Sequence, residues 1–320
     1  MMNSKNQMLL VILMLCTSNV FAEKSKYPPI SVPMELKKVS EHVYYVQGEA
    51  GVATDNEGFI SNAGFIVTNK GVVVFDALGT PSLGHQLLKK IRSVTSKPVV
   101  KVIVSHYHAD HIYGLQVFSE MGAEIISPRG TMDYLNSPQA AERLEERRFS
   151  LDPWVNDSSQ LIPPDRIVSK SESFSLGGVN FIVSYLGSAH SDGDLTLYVE
   201  SDRVLFSGDI IFEGRIAYLG DSDTKLWASV LGKIKTNELV ALVPGHGPLA
   251  KDPNKAISMT LNYLNFIRDN MGKAANDLVE FDEAYKAVDW SAFSGLPAFD
   301  AANRRNAYQV YLSMEEELLQ

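Results

Sequence analysis

Hydrophobic positions along the chain fall into two rhythms. Residues 64–76 carry β-branched runs (FIVT, VVVF) broken at Asn69-Lys70-Gly71, which predicts two strands joined by a turn. Residues 39–46 read as a further strand, and the Gly-rich stretch 48–58 (GEAGVATDNEG) reads either as a mobile flap over a site or as an ordinary turn. Pro81 opens a helix whose apolar positions Leu83, Leu87, Leu88 and Ile91 share one face. The apolar stretch 99–104, interrupted only by Lys101, follows as a buried strand. The order returns later, with strands over 179–185, 195–199 and 204–206, a helix over 224–234 and a strand over 239–243. Each half therefore reads strands, helix, strand, which predicts an α/β fold of two packed sheets with helices outside, an αββα sandwich.

Residues 138–149 (PQAAERLEERRF) form a charged helix whose i,i+4 pairs suit a solvated connector. From residue 253 the periodicity is helical to the end, apart from a Trp/Phe/Pro-containing break at 290–299. The chain thus divides into an N-terminal segment 1–22, a catalytic domain 23–252 and a helical extension 253–320.

The first segment has Lys5 ahead of the apolar run 8–16, too short to span a bilayer, and the small-residue site Val20-Phe21-Ala22. It reads as a signal peptide cleaved after Ala22, which places the mature protein in the periplasm or outside the cell without stable membrane insertion. A lipoprotein anchor at Cys16 is the rival, but Leu15 is bulky where that signal needs a small residue. Cleavage removes Cys16, the single cysteine, and with it any thiolate ligand or nucleophile. At 45% hydrophobic and 21% charged residues the composition is that of a globular protein, and a net charge of -9 repels phosphate backbones, so no nucleic-acid partner is expected.

Chemistry gathers at strand ends. Of seven histidines, three lie in residues 106–111 (HYHADH), directly after the apolar strand, where open α/β sheets place their sites. Imidazoles with carboxylates suit zinc, and a loop leaving a strand aims alternate side chains at one ion and the next pair at a second. His190 (LGSAHSDGD), Asp209 (LFSGD) and His246 (VPGHG) each follow a further apolar strand, whereas His42 and His85 have no such setting and read as structural or solvated.

In order, HxHxDH, a histidine in a Gly/Ser-rich turn, SGD and PGHG resemble the ligand series of the metallo-β-lactamase superfamily. The resemblance implies the αββα fold with a dinuclear zinc site between the sheet edges. His106, His108 and His190 would hold the first ion, Asp110, His111 and His246 the second, and Asp209 would bridge. Histidine at 108, where flavodiiron oxidoreductases have glutamate, favours hydrolysis over redox chemistry, and Asp209 in place of cysteine is similar to the glyoxalase II ligand set. The turn HSDGDLTLYV departs from the glyoxalase II pattern, and residues 206–227 (FSGDIIFEGRIAYLGDSDTKLW), with PGHGPL after them at 244–249, are similar to exported zinc metallohydrolases of sulfur-oxidation and quinoprotein gene clusters.

The expected reaction is cleavage of an acyl bond (thioester, ester, lactone or β-lactam amide) in a small molecule by a hydroxide generated on two zinc ions, with Asp110 steering the proton. Outer support is expected from Asp76, Asp194 and Ser105, with simple turn roles as the alternative for the two aspartates. Phe59, Tyr113, Trp154, Arg215 and Tyr218 are candidates to line the cleft, Arg215 for a substrate carboxylate. The rival readings are a secreted metallo-β-lactamase proper, a mononuclear iron persulfide dioxygenase and, against seven ligand-type residues, a non-catalytic zinc-binding protein.

Overall fold

In the computed structural model, which describes residues 26–319, the chain folds as two sheets between two layers of helices. The expected signal segment 1–22 lies outside the described residues. The first sheet runs β1 (Leu36–Lys38), β2 (Val43–Val46), β3 (Ala63–Val67), β4 (Val72–Phe75), β5 (Val99–Ile103), β6 (Glu124–Pro128) and β7 (Arg166–Val168) in spatial order. It is antiparallel up to β4 and parallel beyond. The second sheet orders β12 (Ala241–His246), β11 (Val204–Phe212), β10 (Leu195–Val199), β9 (Val179–Tyr185) and β8 (Glu172–Leu176), with only β11 and β12 parallel.

The period of two along each strand explains why two sheets need three cores. In β4, Val72 and Val74 face the helical core while Val73 and Phe75 face the other sheet. In β11, Val204 and Phe206 point between the sheets and Leu205 points out. Helix α1 (Pro81–Val94) covers the first sheet; Thr80 caps it by accepting from Leu83 N at 3.0 Å, and Pro81 occupies its first turn. Short helices α2 (Ala109–Ile112), α3 (Leu115–Ser119) and α4 (Thr131–Leu135) and the charged α5 (Pro138–Ser150) complete that layer. The ion pairs along α5 are i,i+3, Arg143–Glu146 and Arg148–Glu145, or between neighbours, Arg147–Glu146, rather than the expected i,i+4.

Helices α6 (Thr224–Leu231), α7 (Pro253–Asn276), α8 (Phe281–Ala287) and α9 (Phe299–Leu318) cover the second sheet. Trp227, Leu264, Met271 and Val310 share one core with Leu205, Ile211 and Leu242, so the C-terminal extension is continuous with the outer layer of the sandwich. Among the described residues no helix is long and apolar enough to cross a membrane.

Two sequence expectations about strands are corrected. The strand expected over 39–46 is split, because Val39 N turns back to Val43 O at 2.9 Å and the polar Ser40 and His42 bind Asp202 across the sandwich. Strand β11 continues six residues past Phe206, so the SGD motif lies within a strand, with register shifts against β12 at Gly208 that turn Asp209 toward the site. Of the two readings of the stretch 48–58, the structure has a loop with one 3-10 turn at Ala53–Asp55, closed by Glu49 N on Phe59 O at 2.9 Å, with Phe59 wholly buried.

Candidate metal centre

Strand ends of both sheets deliver seven side chains to one place. His106, His108, Asp110 and His111 follow β5, His190 follows β9, Asp209 lies in β11 and His246 ends β12. Three overlapping sets have ligand atoms within 4.8 Å of one another: His106 with His108 and His190, His106 with His111 and Asp209, and Asp110 with His111 and His246. Asp209 sits between the groups, its Oδ2 3.4 Å from His190 Nε2 and 3.2 Å from His246 Nε2, its Oδ1 3.1 Å from His111 Nε2. Asp110 Oδ2 lies 3.2 Å from His246 Nε2 and 3.5 Å from His111 Nε2.

The outward ring nitrogens explain how these imidazoles are aimed. His111 Nδ1 donates to Asp76 Oδ2 at 2.9 Å. His106 Nδ1 donates to Ser105 Oγ at 2.9 Å, and that hydroxyl donates to Asp76 Oδ2 at 2.8 Å, so one buried carboxylate orients two ligands. His246 Nδ1 donates to the Ile60 carbonyl at 2.6 Å. Asp194 acts through the backbone, accepting from Ala189 N at 3.1 Å and Ser191 N at 3.0 Å on either side of His190. Gly245 permits the closest approach, because a Cβ there would stand 2.0 Å from Asp209 Oδ1.

Electrostatically the cluster is a buried mixture of bases and acids. Burial pushes His190 down to about 3 and holds His106 well below its usual range. Burial opposes charge on His111 too, yet Asp209, Asp110 and Asp76 together raise it well above the ordinary value. Asp209 stays ionised against its burial because His246 and His111 face it. Burial lifts Asp194 to about 7, against the hydrogen bonds from Ser191.

The residues fit divalent ions. His106 Nε2, His111 Nε2 and Asp209 Oδ1 are buried and lack any hydrogen-bond partner, a costly state that a cation relieves. His108 Nδ1 and His190 Nε2 face each other at 3.0 Å, close to the ~3.3 Å separation of two nitrogens on one tetrahedral ion at about 2.0–2.1 Å. His108 and Asp110 keep 17% and 21% of their side chains exposed, which leaves one face of the cluster open to a substrate. His42 lies apart on Asp202 at 2.9 Å, and His85 on α1 packs against the Tyr27 ring at 5.5 Å.

Of the candidate cleft residues, two are at the rim. Arg215 is buried, with Nη1 3.3 Å from His246 Nδ1 and Nε unpartnered, and burial lowers its pKa despite Asp209 and Asp110. The Tyr218 ring meets the His108 ring nearly edge-on at 6.3 Å. Phe59 and Tyr113 are 0% and 2% exposed in the helical core, so neither lines an open cleft, and Trp154 donates its indole N–H to the Pro29 carbonyl at 3.1 Å.

Several contributors carry no motif. Asn62 ties the PGHG turn to the first sheet by donating to the Pro244 and Gly247 carbonyls at 2.8 Å each. Phe212 stacks on His246 at 5.1 Å and Trp227 meets His190 edge-on at 5.0 Å. Asp221 brings a carboxylate to 3.8 Å from His108 Nε2; a carboxylate in the polar GDSD stretch after the SGD strand is the only signal that could have pointed to it.

Comparison with known proteins agrees with this geometry. The family profile of the metallo-beta-lactamase superfamily matches residues 56–246, which span all seven candidate ligands. Metallo-beta-lactamase IND-1 of Chryseobacterium indologenes is 22% identical over 210 residues, 64% of this chain and 77% of that protein. A metallo-beta-lactamase type 2 of Bacteroides fragilis is 26% identical over 246 residues, 74% of this chain and 88% of that protein. Among solved structures, a metallo-beta-lactamase from Pontibacter korlensis superposes with TM-score 0.57 at 21% identity, covering 73% of this chain and 99% of that one. The sec-alkylsulfatase Pisa1 from Pseudomonas sp. reaches TM-score 0.68 at 18% identity, covering 88% of this chain and 50% of that one. The chain belongs to the metallo-β-lactamase superfamily and is a metal-dependent hydrolase.

Proposed function

We propose that the protein is an exported dinuclear zinc hydrolase that cleaves an acyl bond of a small molecule. The observation that carries this reading is the convergence of five imidazoles and two carboxylates on one buried point, with four of their atoms left without a hydrogen-bond partner. A structural zinc site closes with four ligands, whereas seven donors with one open face suit a pair of catalytic ions. Two such ions supply an activated water nucleophile and a Lewis acid at neutral pH.

The chain's own groups do the rest. Asp76 and Ser105 fix the tautomers of His111 and His106, so that both present Nε2 inward. Asp110, partly exposed at the open face, takes the proton released as the nucleophile attacks and returns it to the leaving group. Arg215, buried with an unpartnered Nε beside His246, holds an anionic group of the substrate. The signal-like residues 1–22 support export.

The test is metal analysis of the protein purified without added metal, together with hydrolysis assays on nitrocefin, a glutathione thioester and a γ-butyrolactone. About two zinc ions per chain with turnover of one of these acyl classes is the expected result. One iron per chain with oxygen uptake would overturn it.

A further inference from the structure

Helix α9 reaches the rim of the centre by an unusual route. Asn306 is 0% exposed, and its amide bonds both peptide groups that flank Tyr218: Oδ1 accepts from Leu219 N at 3.0 Å, and Nδ2 donates to the Ala217 carbonyl at 2.7 Å. Nδ2 donates a second time to Tyr263 Oη at 2.9 Å, and that hydroxyl donates to Asn303 Oδ1 at 2.9 Å. A flipped amide would set oxygen against the Ala217 carbonyl, so the partners fix its orientation. An asparagine is a poor interior residue for a helix and costs desolvation of its amide; its bonds here serve a loop, not its own helix.

Two further features act on the Tyr218 ring. The guanidinium of Arg305, the preceding residue of α9, lies 5.4 Å from the ring centroid. On the loop itself, a Cβ at Gly220 would stand 2.5 Å from Tyr218 Cε1 and 3.0 Å from Cζ, so the ring folds back over a position that only glycine leaves free. Ile216 N adds a backbone tie to the Pro297 carbonyl at 3.1 Å, just before α9. Directly after Tyr218 in the chain, residues 219–224 and α9 line a cavity of about 360 Å³.

We propose that α9 is a working wall of the hydrolytic site. Asn306 is the positioning residue for Tyr218, and Tyr218, held by Asn306, Arg305 and Gly220, is the lip against which the substrate packs beside His108. This rests on the reading of the cluster as a hydrolytic centre, since a lip positions nothing without one.

The experiment compares Gly220→Ala, Asn306→Ala, Arg305→Ala and Arg305→Lys with the wild-type holoenzyme, using whichever of nitrocefin, the thioester or the lactone is turned over fastest. Gly220→Ala and Asn306→Ala should raise KM about tenfold while kcat changes less than about threefold and metal content stays constant. Arg305→Ala should raise KM by a smaller factor, and Arg305→Lys should restore it. Independently of turnover, amide hydrogen exchange in the metal-free protein should be faster across residues 216–220 in Asn306→Ala than in the wild type. Should Asn306→Ala fail to fold, Gly220→Ala displaces the same ring without touching the buried network. Unchanged KM in both variants, with metal-replete and active wild type, would sink the lip alone. A joint fall of kcat and metal content would make Asn306 a support of the ligands instead. A wild type that carries no metal would overturn the hydrolytic reading, and the lip with it.

Discussion

The floor of the metal centre and its rim are held by different means. On the floor, His106, His111, His246 and His190 are aimed by a hydrogen bond on the outer nitrogen or on flanking amides, from Ser105, Asp76, Ile60 and Asp194, all close to strand ends. At the rim, Arg215, Tyr218 and Asp221 lie on the loop after β11, whose backbone is fixed by Asn306, eighty-seven residues beyond Leu219. The floor gathers charge and leaves buried atoms that a metal would satisfy; the backbone of the rim is bonded by the protein itself, while Arg215 Nε stays without a partner. A site built this way can keep its metal chemistry constant while the loop and one distant helix alter what it accepts.

The largest effect should come from the residue that joins the two halves of the floor. Asp209→Ala removes the carboxylate that faces three histidines, and metal content should fall toward one ion per chain with turnover reduced by well over the ~100-fold typical of an outer ligand partner. Metal analysis beside steady-state rates checks both; unchanged stoichiometry and rate would remove Asp209 from the centre. Chelation comes next. With metal free at about 1,000 times its Kd, linkage stabilises the fold by about 4 kcal/mol, so EDTA should lower the thermal midpoint clearly. Hydrogen exchange over residues 216–220 should stay nearly unchanged, because Asn306 and not the metal holds that loop. Equal loosening of floor and rim on chelation would abolish the distinction between them.

The contrast also decides what could be read in advance. HYHADH, SGD and PGHG were legible because metal chemistry demands particular residue types, and strand ends supply them in a fixed order. The layers were legible because sheet faces alternate and helices do not; β6, β7 and β8 escaped because they lack the apolar runs of β4 or β5. The rim was illegible for a physical reason. Asn306 bonds backbone groups, which every residue has, so nothing in residues 216–220 advertises the partner, and an asparagine in a helical stretch reads as solvated. Tyr113 shows the opposite failure: two positions after His111 it invites a role at the site, yet its side of α2 faces the helical core.

Asp76→Asn sharpens the comparison at the next level down. Asp76 has a positive φ of 61°, which asparagine tolerates, so the backbone should survive the change. What is lost is the anion that accepts from Ser105 N, Ser105 Oγ and His111 Nδ1, and an amide set toward those three donors presents one acceptor in place of two. Metal affinity should weaken about 10- to 100-fold, measured by competition with a chromogenic chelator, while KM moves less than in the Gly220 variant.

The smallest effect lies farthest from the centre, at the clasp between the turns β1–β2 and β10–β11. Asp202 accepts there from Ser40 Oγ, His42 N and Ser201 Oγ and pairs with His42 Nδ1 at 2.9 Å. Burial works against its charge, and these donors hold its carboxyl below the usual range nonetheless. His42→Ala removes one partner of four and leaves the carboxylate bonded, so the loss should be about 1 kcal/mol, or roughly 2–4 °C in thermal midpoint for a chain of this size. Metal content and rate should stay as in the wild type, because no ligand contacts His42. A variant that lost metal would show that the far end of the sandwich communicates with the floor, and that the five histidines at the centre are not the complete set.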